Sequence, residues 1–181
     1  MSAPEAVAGL TLRAWRDDDA AALIAATTGD PLLRRWTKVR AADPGAAQQW
    51  LQVQHTGRRL GTRYSFAVVD ERATLVGNVA LKRPDPAAEV AEVGYWTAAY
   101  ARGRGIAPRA LGSLTRWAFA TFPGLLRLDL LHQVDNTGSC RVAEKSGYAY
   151  AQTLTAQRPY PQQGHLHLRR RRADVGITTA G

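Results

Sequence analysis

The chain has little cysteine, lysine or methionine: one Cys (Cys140), three Lys and one Met in 181 residues. A single cysteine cannot close an intramolecular disulfide, and no cysteine and histidine stand at the sequence spacing of a structural zinc site. Disulfide-stapled secreted scaffolds and zinc modules are therefore excluded, and no metal is expected. No stretch reaches the roughly 18 uncharged apolar residues that a spanning helix needs. The most apolar region, 118–131, is interrupted by Pro123, Arg127 and Asp129. The opening MSAPEAVAGL lacks the basic segment and apolar run of a secretory signal. These absences give the expectation of a soluble, cytoplasmic protein in a reducing compartment, with no membrane partner. Internal repeats and Ser/Gly-rich or Pro-rich linkers are missing too, so one domain is expected over 10–171, between a flexible N-terminus (1–9) and a flexible C-terminus (172–181).

What is present is a globular composition, 45% hydrophobic and 22% charged, with a net charge of +9. Lysine contributes only Lys38, Lys82 and Lys145. The remaining positive charge is arginine, which suits phosphate but also accumulates through coding bias, and the abundant Ala and Gly favour the latter. The densest basic run, Arg169 to Arg172, reads as a solvated strand end, with an RNA or ribosome contact as the alternative.

Patterning gives the order strand, helices, three-strand meander, helix, strand, helix, two strands. Leu10 to Trp15 alternates as a strand, and Asp17 to Asp19 suits the N-terminus of the alanine-rich helix that follows. Helices are expected over 30–36 and 44–58, and strands over Arg63 to Asp70, Thr74 to Lys82 and Glu89 to Thr97. A helix over Gly105 to Phe119, a buried strand over Leu126 to Gln133 and a helix over Thr137 to Lys145 follow. Strands over Tyr148 to Gln157 and His165 to Arg171 end the domain. The fold class is thus mixed α/β and not a doubly wound sheet.

The segment Glu92 to Ala107 carries the chemistry: a strand, then Arg102-Gly-Arg-Gly105, then a helix. Glycines let backbone N–H groups approach an anion, a helix N-terminus adds unsatisfied donors, and arginines add countercharge, so a pyrophosphate suits this loop. A dinucleotide fingerprint fails because Pro108 stands where the third glycine belongs. A P-loop fails because no Lys-Ser or Lys-Thr follows the last glycine.

Arg102-Gly-Arg-Gly105-Ile-Ala107 resembles the R/Q-x-x-G-x-G/A signature of the GNAT N-acetyltransferases. Asn136-Thr-Gly-Ser139 with Glu144-Lys-Ser-Gly147-Tyr148 is similar to the later signature of their RimJ/RimL-like branch. The resemblance spans about residues 10–170, with Trp36, Gly77 and the run Glu92 to Trp96 also similar to that branch. It implies a GNAT fold: a mostly antiparallel twisted sheet flanked by helices, with the strands 89–97 and 126–133 splayed around acetyl-CoA. Backbone groups of Tyr95, Trp96 and Thr97 would pair with the pantetheine arm, and amides of Gly103, Arg104, Gly105, Ile106 and Ala107 would hold the pyrophosphate. Arg102 and Arg104 would screen its charge, and Asn136 would touch the pantetheine or order a water. A primary amine, on a protein N-terminus or a small molecule, would attack the thioester directly, so Cys140 need not be a nucleophile.

By the same resemblance Glu92 is the candidate general base, with Glu89 as second choice and a solvent-facing strand acid as the alternative reading of both. The tyrosine that much of the superfamily uses as general acid is replaced by Ala143. Ser139 is the candidate acid in its place, with Tyr100 and Tyr148 as substitutes; helix capping alone also explains Asn136 and Ser139. His132 reads as a buried, hydrogen-bonded residue, while His165 and His167 share a strand face that can line the acceptor pocket. A homodimer is possible. The rival functions are a basic nucleic-acid or ribosome-binding module, disfavoured because the arginines lack interleaved aromatics, and an acyl-CoA-binding protein without catalysis.

Overall fold

The computed structural model describes residues 2–7, 9–85, 87, 89–156 and 162–171. In chain order its elements are β1 (Leu10–Ala14), α1 (Ala20–Thr27), α2 (Pro31–Trp36), α3 (Pro44–Arg59), β2 (Arg63–Asp70), β3 (Leu75–Asp85), β4 (Val90–Thr97), α4 (Ile106–Thr121), β5 (Arg127–Gln133), α5 (Thr137–Lys145), β6 (Ala149–Leu154) and β7 (Gly164–Arg170). Asp-Pro pairs start two of the helices. Asp30 accepts from the amides of Leu32 and Leu33 at 3.0 and 3.2 Å, Asp43 accepts from Ala46 at 2.9 Å, and a proline with preset φ occupies each first position. The acidic run 17–19 leads into α1 as expected, with Asp19 at its N-cap position, but its side chain does not cap the helix. The run forms a short 3-10 turn in which Asp19, 6% exposed, takes a two-pronged ion pair from Arg13 at 2.6 and 2.7 Å.

All seven strands join one sheet in the order β1-β2-β3-β4-β5-β7-β6, antiparallel everywhere except between β4 and β5. Its two faces are distinguished by what they touch. Tyr64, Phe66, Val79 and Leu81 pair across one face, where the Phe66 ring meets Trp117 of α4 at 5.0 Å. Ser65, Asn78, Ala80 and Trp96 occupy the other face, where Trp15 donates to Asn78 at 3.0 Å and packs edge-on against Trp50 of α3 at 4.9 Å. The apolar interiors of both layers merge into one core, with Leu23, Leu51, Leu111, Leu114, Leu128 and Leu130 fully enclosed.

The N-terminal segment and the basic run both make contacts with the fold. Residues 2–7 are tied to α4, since Trp117 Nε1 donates to the Ser2 carbonyl at 3.0 Å and Ser113 Oγ to that of Glu5 at 2.7 Å. Within the basic run, Arg169 donates to the Ser146 carbonyl and Arg171 to those of Leu125, Phe119 and Phe122, so both brace the fold instead of facing water. Arg172 and residues 173–181 lie outside the described residues. No helix among the described residues is long and apolar enough to cross a membrane.

The break in the sheet positions the site. β4 and β5 pair in parallel only from Val90 with Arg127 to Val93 with Leu130. Beyond this, β4 continues on β3 as far as Thr97, and β5 continues on β7 as far as Gln133, with no pairing between them. The two strands part, and the facing edge of β4 over 94–97 loses its ladder partner. Gly77 allows the bend: a Cβ there would stand 2.5 Å from the Trp96 carbonyl oxygen, so only glycine lets β3 follow β4 through the opening.

Candidate active site

A cleft of about 1840 Å3 runs through the opening, larger than the 300–1,000 Å3 typical of a single small-ligand pocket, and so has room for two substrates. Its walls come from β4 and β5, the 101–108 segment, the start of α5, and on the far side α2 and α3. Among the expected site residues, Glu92, Tyr95, Trp96, Thr97, Arg102, Gly103, Gly105, Ile106, Ala107, Asn136 and Ser139 all line it. Arg104 is the exception, exposed at the loop and outside the lining.

The 102–107 loop has the form of an anion cradle. Gly103 and Gly105 hold φ of 76° and 68°, a left-handed backbone that glycine adopts without penalty, and no atom lies within 4 Å of where a Cβ would stand at either. Gly105 is the N-cap of α4, a 16-residue helix whose first amides have no intrahelical partner. Arg102 does not extend freely over this cradle. Its guanidinium pairs with Asp30, 5% exposed, which also caps α2. A residue the sequence did not single out is Arg109: one turn into α4, it donates to the carbonyls of Gly105 and Arg104, both at 3.1 Å, and so ties the loop to the helix. Its spacing after Gly105 is the signal that was available.

Glu92 and Tyr95 stand on opposite faces of β4, three residues apart on a strand. Glu92 is on the α3 side, ion-paired with Lys82, its cross-strand partner, and close in charge to Arg63. Burial lowers the Arg63 guanidinium from its ordinary value, and the Glu92 charge offsets part of that. On the other side the Tyr95 hydroxyl meets Ser139 Oγ at 2.7 Å. Burial pushes the Tyr95 phenol up, against the opposing effect of this hydrogen bond, so the pair keeps its protons. Asn136 caps α5 by accepting from the Ser139 amide at 3.2 Å, and thereby fixes the first turn on which Ser139, 7% exposed, is carried.

The other candidates fall elsewhere. Glu89 is exposed just before β4, with a positive φ of 55°. Tyr100 donates to the Leu75 carbonyl. Tyr148 is 1% exposed, shares a hydrogen bond with Thr115 at 2.7 Å, and its phenol is raised by burial, so it belongs to the core. Ala143 is fully enclosed. His132 is hydrogen-bonded as expected, to the Gln133 carbonyl, but is only half-buried and lines the cleft, whereas His165 and His167, expected to line it, do not. Burial lowers the His132 and His167 imidazoles from their ordinary values.

A family profile described as an acetyltransferase (GNAT) domain matches residues 9–149. The chain belongs to the GNAT acetyltransferase family. No curated protein matches the sequence, but many solved structures share the fold. RimL, the ribosomal L7/L12 alpha-N-protein acetyltransferase in complex with coenzyme A, superposes with a TM-score of 0.82 at 16% identity, covering 93% of this chain and 98% of its own. Mycobacterium smegmatis RimJ in complex with CoA-disulfide gives 0.77 at 23% identity, covering 89% and 81%. The microcin C7 self immunity acetyltransferase MccE, in complex with acetyl-CoA and AMP, gives 0.80 at 16%, covering 91% and 93%. At these identities the likeness is one of fold. The seven-stranded GNAT sheet with its parted β4 and β5 therefore matches the sequence expectation.

Proposed function

We propose that this GNAT protein transfers the acetyl group of acetyl-CoA directly to a primary amine within the β4–β5 cleft. The observation that carries this reading is the continuity of three features in one cleft: an unpaired β4 edge, a two-glycine anion cradle on α4, and a Tyr95–Ser139 hydroxyl pair. The edge over 94–97 offers amide-like partners of the kind that pantetheine pairs with, and the cradle fits a pyrophosphate. Acetyl-CoA supplies an activated thioester.

The chain's own groups then divide the proton work between the two faces of β4. Glu92 takes a proton from the incoming ammonium through a water, which frees the nitrogen lone pair to attack the carbonyl carbon. A β4 amide on the unpaired edge donates to the developing oxyanion. As the carbon–sulfur bond breaks with its electron pair on sulfur, Ser139 Oγ–H donates the proton that leaves coenzyme A as a thiol and Tyr95 Oη–H replenishes it; the nitrogen gives its second proton to water as the amide forms, and Tyr95 regains one from water. In this account Tyr95 and Ser139 together do what a tyrosine at position 143 does not. Arg102 holds the cradle to α2 through Asp30.

The acceptor enters between α2, α3 and the end of β5, where Leu32, Trp36, Val53, Leu60 and Leu131 flank the cleft. RimL acts on a protein and MccE is an immunity enzyme, so peptide N-termini and small amines are the two classes to screen. The direct test is calorimetry with acetyl-CoA on the native protein and Gly105→Glu, which adds both bulk and negative charge to the cradle. Micromolar binding that is lost in the variant is the expected result. A folded native protein that does not bind acetyl-CoA overturns the proposal.

A further inference from the structure

A second chemical cluster lies beside the cleft, formed by residues that the sequence keeps far apart. His132 of β5 is the cross-strand partner of His165 of β7, and His167 follows on the same face. Cys140, in the first turns of α5, sits over them. Its Sγ is 3.5 Å from His132 Nε2 and 3.5 Å from His165 Nδ1, and one ligand atom from each of the four residues lies within 4.8 Å of every other. The rings also touch: His132 stacks on His167 with centroids 5.2 Å apart and meets His165 at 5.5 Å.

Three details distinguish this from ordinary packing. His132 Nδ1 is 2.8 Å from the Gln133 carbonyl oxygen, so that nitrogen carries the hydrogen and Nε2 turns a lone pair towards Cys140, the orientation a carbonyl-braced metal ligand adopts. His167 is 1% exposed, yet neither ring nitrogen makes a hydrogen bond of acceptable geometry, although the Tyr148 backbone lies close. Buried polar groups rarely go without a partner. Finally, a tetrahedral zinc with bonds of ~2.0–2.1 Å to nitrogen and ~2.3 Å to sulfur holds its nitrogen and sulfur ligands about 3.6 Å apart, close to the observed 3.5 Å.

We propose that His132, Cys140, His165 and His167 form a tetrahedral site for a borderline-soft divalent ion, zinc(II) foremost, that ties α5 to β5 and β7. The donor set of one thiolate and three imidazoles selects zinc over magnesium or calcium, which require oxygen ligands. On binding, the Cys140 thiol gives its proton to solvent and the sulfur lone pair to the metal. All four positions are occupied by protein, the closed form of a structural and not a catalytic site. The ion would also fix the helix turn that carries Ser139, the residue next to Cys140. The proposal stands independently of acetyl transfer.

The test uses the full untagged chain, stripped with chelator and titrated with zinc(II), and with cobalt(II) as a spectroscopic probe. One equivalent of zinc and a cobalt spectrum showing tetrahedral d–d bands with thiolate charge transfer are expected. Cys140→Ala, at a partly exposed position, removes the charge-transfer band. Both it and His165→Ala weaken zinc by more than the roughly 10–100-fold that loss of an outer-shell partner costs, with unchanged circular dichroism. Absence of stoichiometric zinc uptake by the folded native chain, or equal uptake by native and both variants, overturns the site. Metal content and spectrum decide the matter whether or not an acetyl acceptor is known.

Discussion

Ser139 and Tyr95 show how much a single hydrogen bond changes the reading of a residue. Sequence resemblance gives Tyr95 only a backbone role, yet its hydroxyl lies 2.7 Å from Ser139 Oγ. In the proposed proton relay, Ser139→Ala is expected to lower kcat by about 100-fold, the lower end of what acid–base help contributes, while acetyl-CoA affinity stays nearly constant. Tyr95→Phe lowers kcat less, and the double variant is no slower than Ser139→Ala, because residues acting as a unit are not additive. Steady-state kinetics on the three proteins, with calorimetry for affinity, check this. Additive losses in the double variant would rule the relay out. On the opposite face of β4, Glu92→Gln is expected to lower kcat/KM by about 100-fold, read by steady-state kinetics.

At the scale of elements, charge ties loops to helices. Asp30 caps α2 and pairs with Arg102, so one buried carboxylate couples α2 to the 102–107 loop. Asp19 does related work between β1 and α1. Burial alone would raise its pKa, but the Arg13 hydrogen bonds, the Arg16 amide and the nearby positive charges outweigh this and leave it lowered. A carboxylate depressed in the folded state adds stability that is complete above its unfolded value near 4 and is lost as pH falls through the folded value. Native protein should thus lose more stability than Asp19→Asn between pH 5 and pH 2, measured by urea unfolding at each pH. Gly77→Ala is expected to cost about 1–3 kcal/mol by forcing β3 away from the Trp96 carbonyl, with a lower urea midpoint as the readout. Retention of full stability in that variant would mean that the close approach is not required.

For the molecule as a whole, one sheet carries the site, and both its faces are needed. Glu92 stands on the α3 face of the sheet and α5 presents Ser139 on the other, so the cleft draws on both layers. The N-terminal segment contributes at this scale. Removing residues 1–7 deletes two hydrogen bonds to α4 and exposes Trp117, 7% exposed in the full chain. A loss of roughly 2 kcal/mol is expected, or a fall in Tm of about 4–8 °C for a chain of this size, read by thermal unfolding. The bracing of Arg169 and Arg171 by backbone carbonyls likewise gives a structural use to part of the +9 charge that composition alone associates with nucleic acid.

The sequence by itself determined the element order, the glycine turn before α4 and the family, because these rest on local signals. Asp-Pro starts, period-two runs and two glycines before a helix act over a few residues, and α5 (137–145) and β2 (63–70) fall where the pattern places them. Tertiary structure alone decided which partners those residues meet. Asp30 reaches Arg102 across 72 positions, Tyr95 reaches Ser139 across 44, and Cys140 reaches His165 across 25. Local propensity is blind to such distances, since they are set by strand order and by the parting of β4 from β5. Closely spaced Cys and His are absent from the sequence, while the pairing of β5 with β7 brings three histidines together and α5 adds Cys140 to the cluster.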